Sequence, residues 1–252
     1  MTEILERAQW TLPGKQRGLP GGYALVSVTA PTVLLQDTYK ALREEIVTVS
    51  DKAFGRSTAH LWEEKFTAGF LGALSRFYLV LDSDGALVGW SGYRARSIGK
   101  ERIVYFASTG LLPRCQGHGL IRAVQRFAMA RESRLHPFMH LSLAIRTRNP
   151  NAYCLALRTF GSDGVAPAID GEVPIGRRAV VAAAASWLEF GRVDSATAIV
   201  RGAYPVCLYG QDPQSSDAAV NGLFSRLNPN DALLILGRLR KRSAVILAMR
   251  GR

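Results

Sequence analysis

Downstream of Pro31 the apolar residues Leu35, Tyr39, Leu42, Ile46 and Val49 recur at alternating steps of four and three. That spacing puts one apolar stripe on a helix of about five turns. A second helix is expected from Ser57 or Thr58, good N-cap residues, through Leu61, Phe66, Phe70 and Leu74 to near Arg76. The periodicity then changes. Phe77 to Asp82 and Ala86 to Ala95 flank Ser83-Asp84-Gly85, which is antiparallel hairpin chemistry, and a third strand, Arg102 to Ser108, follows Ile98-Gly99-Lys100. After a glycine-containing stretch, Leu120, Ile121, Val124, Phe127 and Ala128 form a helical pattern whose opposite face carries Arg122, Arg126 and Arg131. A strand from Met139 to Arg146 and a short helix from Pro150 to Phe160 come next, with Pro at a position that suits helix initiation. The order read this way is ααβββαβα.

Beyond Gly161 the chain becomes rich in Gly, Pro and Asp. An alanine-rich helix is expected near Arg177 to Phe190, a strand over Ala196 to Gly202, a helix ending at Leu227 and a last strand over Asp231 to Leu239. No internal repeat is visible. The division that follows is an N-terminal arm, 1–20, a core, 21–161, and a C-terminal extension, 162–252, that completes the sheet.

Hydrophobic residues make up 48% of the 252 positions and charged ones 21%, the balance of a soluble globular protein. The longest mainly apolar run, Ala179 to Leu188, is roughly half the ~20 residues a bilayer span needs, so no membrane helix is expected. The N-terminal MTEILERAQW lacks the basic and apolar regions of a signal peptide, and a cytoplasmic protein is expected. Cys115, Cys154 and Cys207 are odd in number and have neither disulfide-framework nor zinc spacing, so no metal is expected. A formal net charge of +12 favours anionic partners: a phosphorylated cofactor, an acidic carrier protein, nucleic acid or an anionic membrane surface.

The segment Leu111-Leu112-Pro113-Arg114-Cys115-Gln116-Gly117-His118-Gly119-Leu120 ends a strand with glycines and opens a helix. The first N–H groups of a helix lack intrahelical partners, its dipole is positive there, and glycines let a pyrophosphate approach the backbone. This run resembles the acyl-CoA signature of the GNAT superfamily of N-acetyltransferases, Q/R-x-x-G-x-G/A. Arg114 to Gly119 fits it directly, and a second register starting at Gln116 departs only at Ile121. The element order from Tyr23 to Gly161 resembles the same family.

The resemblance implies a mixed α/β (α+β) fold: a central, mostly antiparallel sheet with a splayed strand pair, flanked by helices, here with a C-terminal helical insertion. It implies acetyl-CoA or another acyl-CoA as co-substrate. Arg114, Gln116, Gly117, His118, Gly119 and Leu120 would hold the pyrophosphate, and the backbone of Leu111 and Leu112 the pantetheine. The strand from Met139 to Arg146 would splay to make the acceptor slot. Asn149 and Asn151 would bond pantetheine or acceptor, against the plainer reading that Asn beside Pro forms a turn and cap. Tyr153 would be the general acid to the leaving thiolate, against a packing role, and Glu101 the general base, against a solvated strand-end charge. The activity implied is transfer of an acetyl or longer acyl group to a small-molecule or peptide amine by direct attack in a ternary complex. Two alternatives stay open: a non-catalytic module binding CoA or RNA, and an acyltransferase fed by an acyl carrier protein.

Overall fold

The structure is a computed structural model and describes residues 3–6, 11–28, 36–204 and 209–239. The basic run at 240–242, Arg250, Arg252, Leu35 and Cys207 lie outside the described residues. The chain divides into two compact units, one of Met1–Arg94 with Phe106–Arg126, the other of Ala95–Tyr105 with Phe127–Arg252.

In the first unit, β1 (Glu3–Glu6), β2 (Thr11–Gly18), β3 (Ala24–Val28), β4 (Arg76–Leu81), β5 (Leu87–Ile98) and β6 (Glu101–Leu111) follow one another in the sheet. The pairs from β1 to β5 are antiparallel. The strands before the helices are absent from the sequence reading, which begins its sheet at Phe77. β2, Thr-Leu-Pro-Gly-Lys-Gln-Arg-Gly, has no apolar alternation, so only its partners reveal it. The β4–β5 turn forms as expected: Gly85 has φ 77°, and the Ala86 N–H reaches Asp82 Oδ1 at 2.7 Å.

The two helices lie between β3 and β4 in the sequence. α1 (Gln36–Phe54) buries Leu42, Ile46 and Val49, as its periodicity requires. α2 (Ala59–Thr67) buries Trp62 and Phe66, and Trp62 meets Trp90 of β5 edge-on with ring centroids 5.4 Å apart. α2 is shorter than expected, because the left-handed Gly69 (φ 67°) and the turns after it stop the helix before Leu74. Thr58 caps nothing with its own side chain; its N–H and hydroxyl both donate to Asp51 Oδ1, at 2.6 and 2.7 Å.

β5 and β6 run through both units, as does α3 (Leu120–Leu135). In the second unit β7 (His140–Thr147) lies between β6 and β10 (Ala232–Arg238), and β10 also pairs with the short strands β8 (Val165–Ala166) and β9 (Ile199–Val200). The β7–β10 and β10–β8 pairs are antiparallel. β6 and β7 begin side by side, the His140 N–H donating to Lys100 O at 2.9 Å, so they run in the same direction. The sheet is therefore mixed and mostly antiparallel, the expected class. The helices α4 (Pro150–Phe160), α5 (Ile175–Leu188) and α6 (Ala218–Phe224) complete this unit. The strand expected over Ala196 to Gly202 shrinks to two residues, because an Asp194 turn, with Ala198 at φ 58°, occupies its first half.

One sheet face of the second unit is recognisable from its alternation. Ser142, Ala144 and Arg146 share a face of β7, Glu101 and Tyr105 share one of β6, and Ser142 joins to Glu101 at 2.9 Å. Arg177, near the start of α5, donates to Leu236 O at 3.0 Å, and Phe190, just past its end, meets Tyr105. No helix among the described residues is long and apolar enough to cross a membrane.

Candidate functional site

β6 carries Leu111 at its end, and Leu112 prolongs the pairing through its N–H to Val88 O at 2.9 Å. A tight turn over Pro113–Cys115 follows, the Cys115 N–H returning to Leu112 O at 2.9 Å. Gln116 folds its side chain back so that Nε2 donates to Leu111 O at 3.1 Å. Three of the backbone groups expected to meet pantetheine are thus engaged inside the chain: Leu111 O, Leu112 N–H and Leu112 O. Gln116 acts here as a brace of the loop.

Gly117 (φ 82°) and Gly119 (φ 73°) both adopt the left-handed conformation that side chains disfavour. A Cβ at either would meet nothing within 4 Å, so the space over both is open. The first helical bond runs from the Ala123 N–H to Gly119 O at 3.0 Å. The N–H groups of Leu120, Ile121 and Arg122 precede it, and these are the donors a helix start offers to an anion. Gln116 to Gly119 are exposed, whereas Leu120 is buried and anchors the helix.

Two arginines flank these donors. The Arg114 side chain is 68% exposed and 3.5 Å from Asp82, a loose pair that leaves the guanidinium room to move. Arg122, in the first helical turn, is exposed. Cys115 is 1% exposed and receives the Tyr23 hydroxyl at 3.7 Å, so it is a buried packing residue rather than a loop thiol. The same Tyr23 ring lies 6.5 Å from that of the exposed His118. Its hydrogen bond to Cys115, with burial second, raises the Tyr23 pKa. Beside the loop a groove of about 650 Å³ is lined by Ala41, Thr48, Lys52, Asp84, Leu112 and Arg114, among others. Glu44 and Glu45 also line it, and their negative charge disfavours a phosphate in the groove.

The remaining expected residues lie in the second unit, and each has a partner there. Glu101 accepts from Ser142 Oγ at 2.9 Å and pairs with Arg238 at 2.6 Å, its side chain 12% exposed. It is not a solvated strand end. Asn149 caps α4, its Oδ1 accepting the Asn151 N–H at 2.9 Å, and Asn151 Nδ2 donates to Gln214 O at 3.0 Å. Tyr153 is fully buried, donates to Pro167 O at 2.9 Å, and packs edge-on against Phe224. Burial, assisted by Asp170, pushes its phenol up to about 12. No group of three or more potential metal ligands occurs among the described residues.

The sequence reading passes over a second cluster in this unit. The Arg146 guanidinium lies 4.7 Å from the Phe190 ring centre and 5.2 Å from that of Tyr204, and Tyr105 meets Phe190 edge-on at 5.3 Å. Four residues so far apart in sequence leave no local motif to read.

No protein-family model matches the chain, and no curated protein sequence matches it. Solved structures do match. A GNAT family N-acetyltransferase from Escherichia coli, in complex with CoA, is 16% identical over 44% of this chain and 60% of that one, with a TM-score of 0.34. The ribosomal-protein-S18-alanine N-acetyltransferase from Escherichia coli is 15% identical over 86% of this chain and 93% of that one, with a TM-score of 0.43. A spermidine N-acetyltransferase mutant from Vibrio cholerae is 16% identical over 54% and 77%, with a TM-score of 0.35. All three of those proteins are N-acetyltransferases.

Proposed function

We propose that this chain is an acyl-CoA-dependent acyltransferase that passes an acyl group to an amine. The observation that carries the reading is the loop between β6 and α3. Two left-handed glycines with open space above them stand directly before unengaged helix N–H groups, with Arg114 and Arg122 exposed on either side. Such a junction holds a pyrophosphate, the helix dipole and two cations acting on the same anion.

In the transfer the amine nitrogen attacks the thioester carbonyl carbon. A C–N bond forms, the C–S bond breaks, the amine loses a proton, and the departing thiolate gains one. Preorganised backbone donors stabilise the oxyanion of the tetrahedral intermediate. We assign neither proton to Glu101 or Tyr153. Glu101 is tied to Arg238 and Ser142, so both of its carboxylate oxygens are already engaged. The Tyr153 hydroxyl is committed to Pro167 in a fully buried position. Water is the proton carrier we assign to both steps.

The engagement of those two groups also favours a second reading, a CoA-binding module without turnover. Calorimetric titration with acetyl-CoA and a long-chain acyl-CoA tests the shared part. Wild type is expected to bind and a folded Gly117→Glu variant to lose binding, because the added carboxylate sits where the pyrophosphate would. Absence of binding in wild type overturns both readings. Release of free CoA thiol in an amine screen then separates the enzyme from the module.

A further inference from the structure

The cluster around Arg146 has a property that the signature loop does not explain. Its guanidinium is half-buried and lies over two aromatic rings, yet among the described residues it makes no ion pair with a carboxylate. The stretches 205–208 and 240–252 contain no Asp or Glu that could supply one. Elsewhere in this unit four arginines pair with carboxylates, Arg102 with Glu132, Arg148 with Asp212, Arg201 with Asp231 and Arg238 with Glu101, and the half-buried Arg177 and Arg178 donate to the backbone carbonyls of Gly164, Leu236 and Val173. Ring contacts engage the face of a guanidinium and leave the N–H donors along its edge, of which one side meets the Tyr204 hydroxyl and the remainder can serve another group. The rings themselves are held in place. Tyr204 donates to Arg146 O at 3.3 Å, and Phe190 is packed edge-on against Tyr105, a strand residue.

We infer that Arg146, with Phe190 and Tyr204, is a carboxylate-binding site, and that the acceptor of this acyltransferase is an amine bearing a carboxylate, such as an amino acid. The inference rests on the acyltransferase reading for its second half only. A planar guanidinium matches a carboxylate in a two-pronged hydrogen bond. A phosphate dianion would call for a second cation, and the neighbouring Arg148 is already engaged by Asp212 and by the carbonyl oxygens of Asn228 and Asp231. CoA carries no carboxylate, so the donor does not compete for this position. The rings lend the site its second property: they exclude water from one side of the charge and strengthen its pull on an anion.

The test uses matched amines that differ only at the carboxylate, α-amino acids against their primary amides, with acetyl-CoA as donor and thiol release as the readout. Wild type is expected to prefer the acid over the amide in kcat/KM by about tenfold or more, since a site built for a charged partner rejects an analogue lacking it. In Arg146→Gln the preference is expected to fall to near one, with amide turnover and acetyl-CoA binding unchanged; Arg146→Lys should keep part of it. Equal use of acid and amide by wild type overturns the inference, as does an equal loss of both in the Gln variant. Should no amine be acylated, the acyltransferase reading fails separately, and the site is read directly by saturation-transfer NMR with N-acetyl amino acids. A signal in wild type that Arg146→Gln loses sustains the carboxylate site, and no signal in wild type overturns it.

Discussion

Tyr153 and Glu132 show how much a single buried polar group contributes in this chain. Tyr153 is neutral in the fold, its pKa raised by burial to about 12 from an ordinary value of 10.0. A folded-state value above the unfolded one means that the native state holds the proton longer. This contribution to stability is complete below pH 10 and is lost as pH rises from about 10 through about 12. Urea midpoints at pH 8.5 and pH 11 should therefore fall less in Tyr153→Phe than in wild type. Equal falls would show that the phenol is not shielded. Glu132 is 0% exposed and pairs with Arg102 at 2.7 Å and with Arg131 at 2.6 Å. Truncating one member of a buried pair strands the other charge, so Glu132→Ala should cost about 3 kcal/mol. A loss under about 1 kcal/mol in denaturant unfolding would contradict that. The sequence lists Glu132 as one acid among many bases, and only the fold shows it as the charge that Arg102 and Arg131 share.

Among the elements, β5 and β6 depend on a close approach that glycine allows. A Cβ on Gly110 would lie 2.1 Å from Cη2 of Trp90, a fully buried ring whose indole N–H donates to Ser108 Oγ at 3.1 Å. Overpacking of this kind costs about 1–3 kcal/mol. Gly110→Ala should lower the thermal midpoint, and an unchanged midpoint would mean that the indole moves aside freely. The amphipathic helices α1 and α3, the β4–β5 hairpin and β7 were legible because each carries its own period or turn residues. β1 to β3 were not, since β2 has no apolar alternation of its own and takes its order from pairing with β1 on one side and β3 on the other. The end of α2 was misplaced for a related reason. Phe70 and Leu74 continue the helical period, and Gly69 overrides it.

At the scale of the molecule, the charge of +12 could attract many anions, and the structure distributes it. Several arginines are spent on internal carboxylates, Arg114 and Arg122 stand by the glycine loop, and Arg146 has aromatic rings in place of an acid. The sequence by itself determined the helices α1 and α3, the β4–β5 hairpin and the glycine loop at a strand-to-helix junction. Those depend on local periodicity and on residues adjacent in the chain. Tertiary structure alone decided which polar groups are engaged. Glu101, Tyr153 and Asn149 meet partners at Arg238, Pro167 and Asn151, and two of those three lie well outside their local segments. It also decided the company of Arg146, because Phe190 and Tyr204 reach it from 44 and 58 residues further along the chain. Hydrogen bonds and ion pairs depend on distance in space, which periodicity along a sequence does not encode.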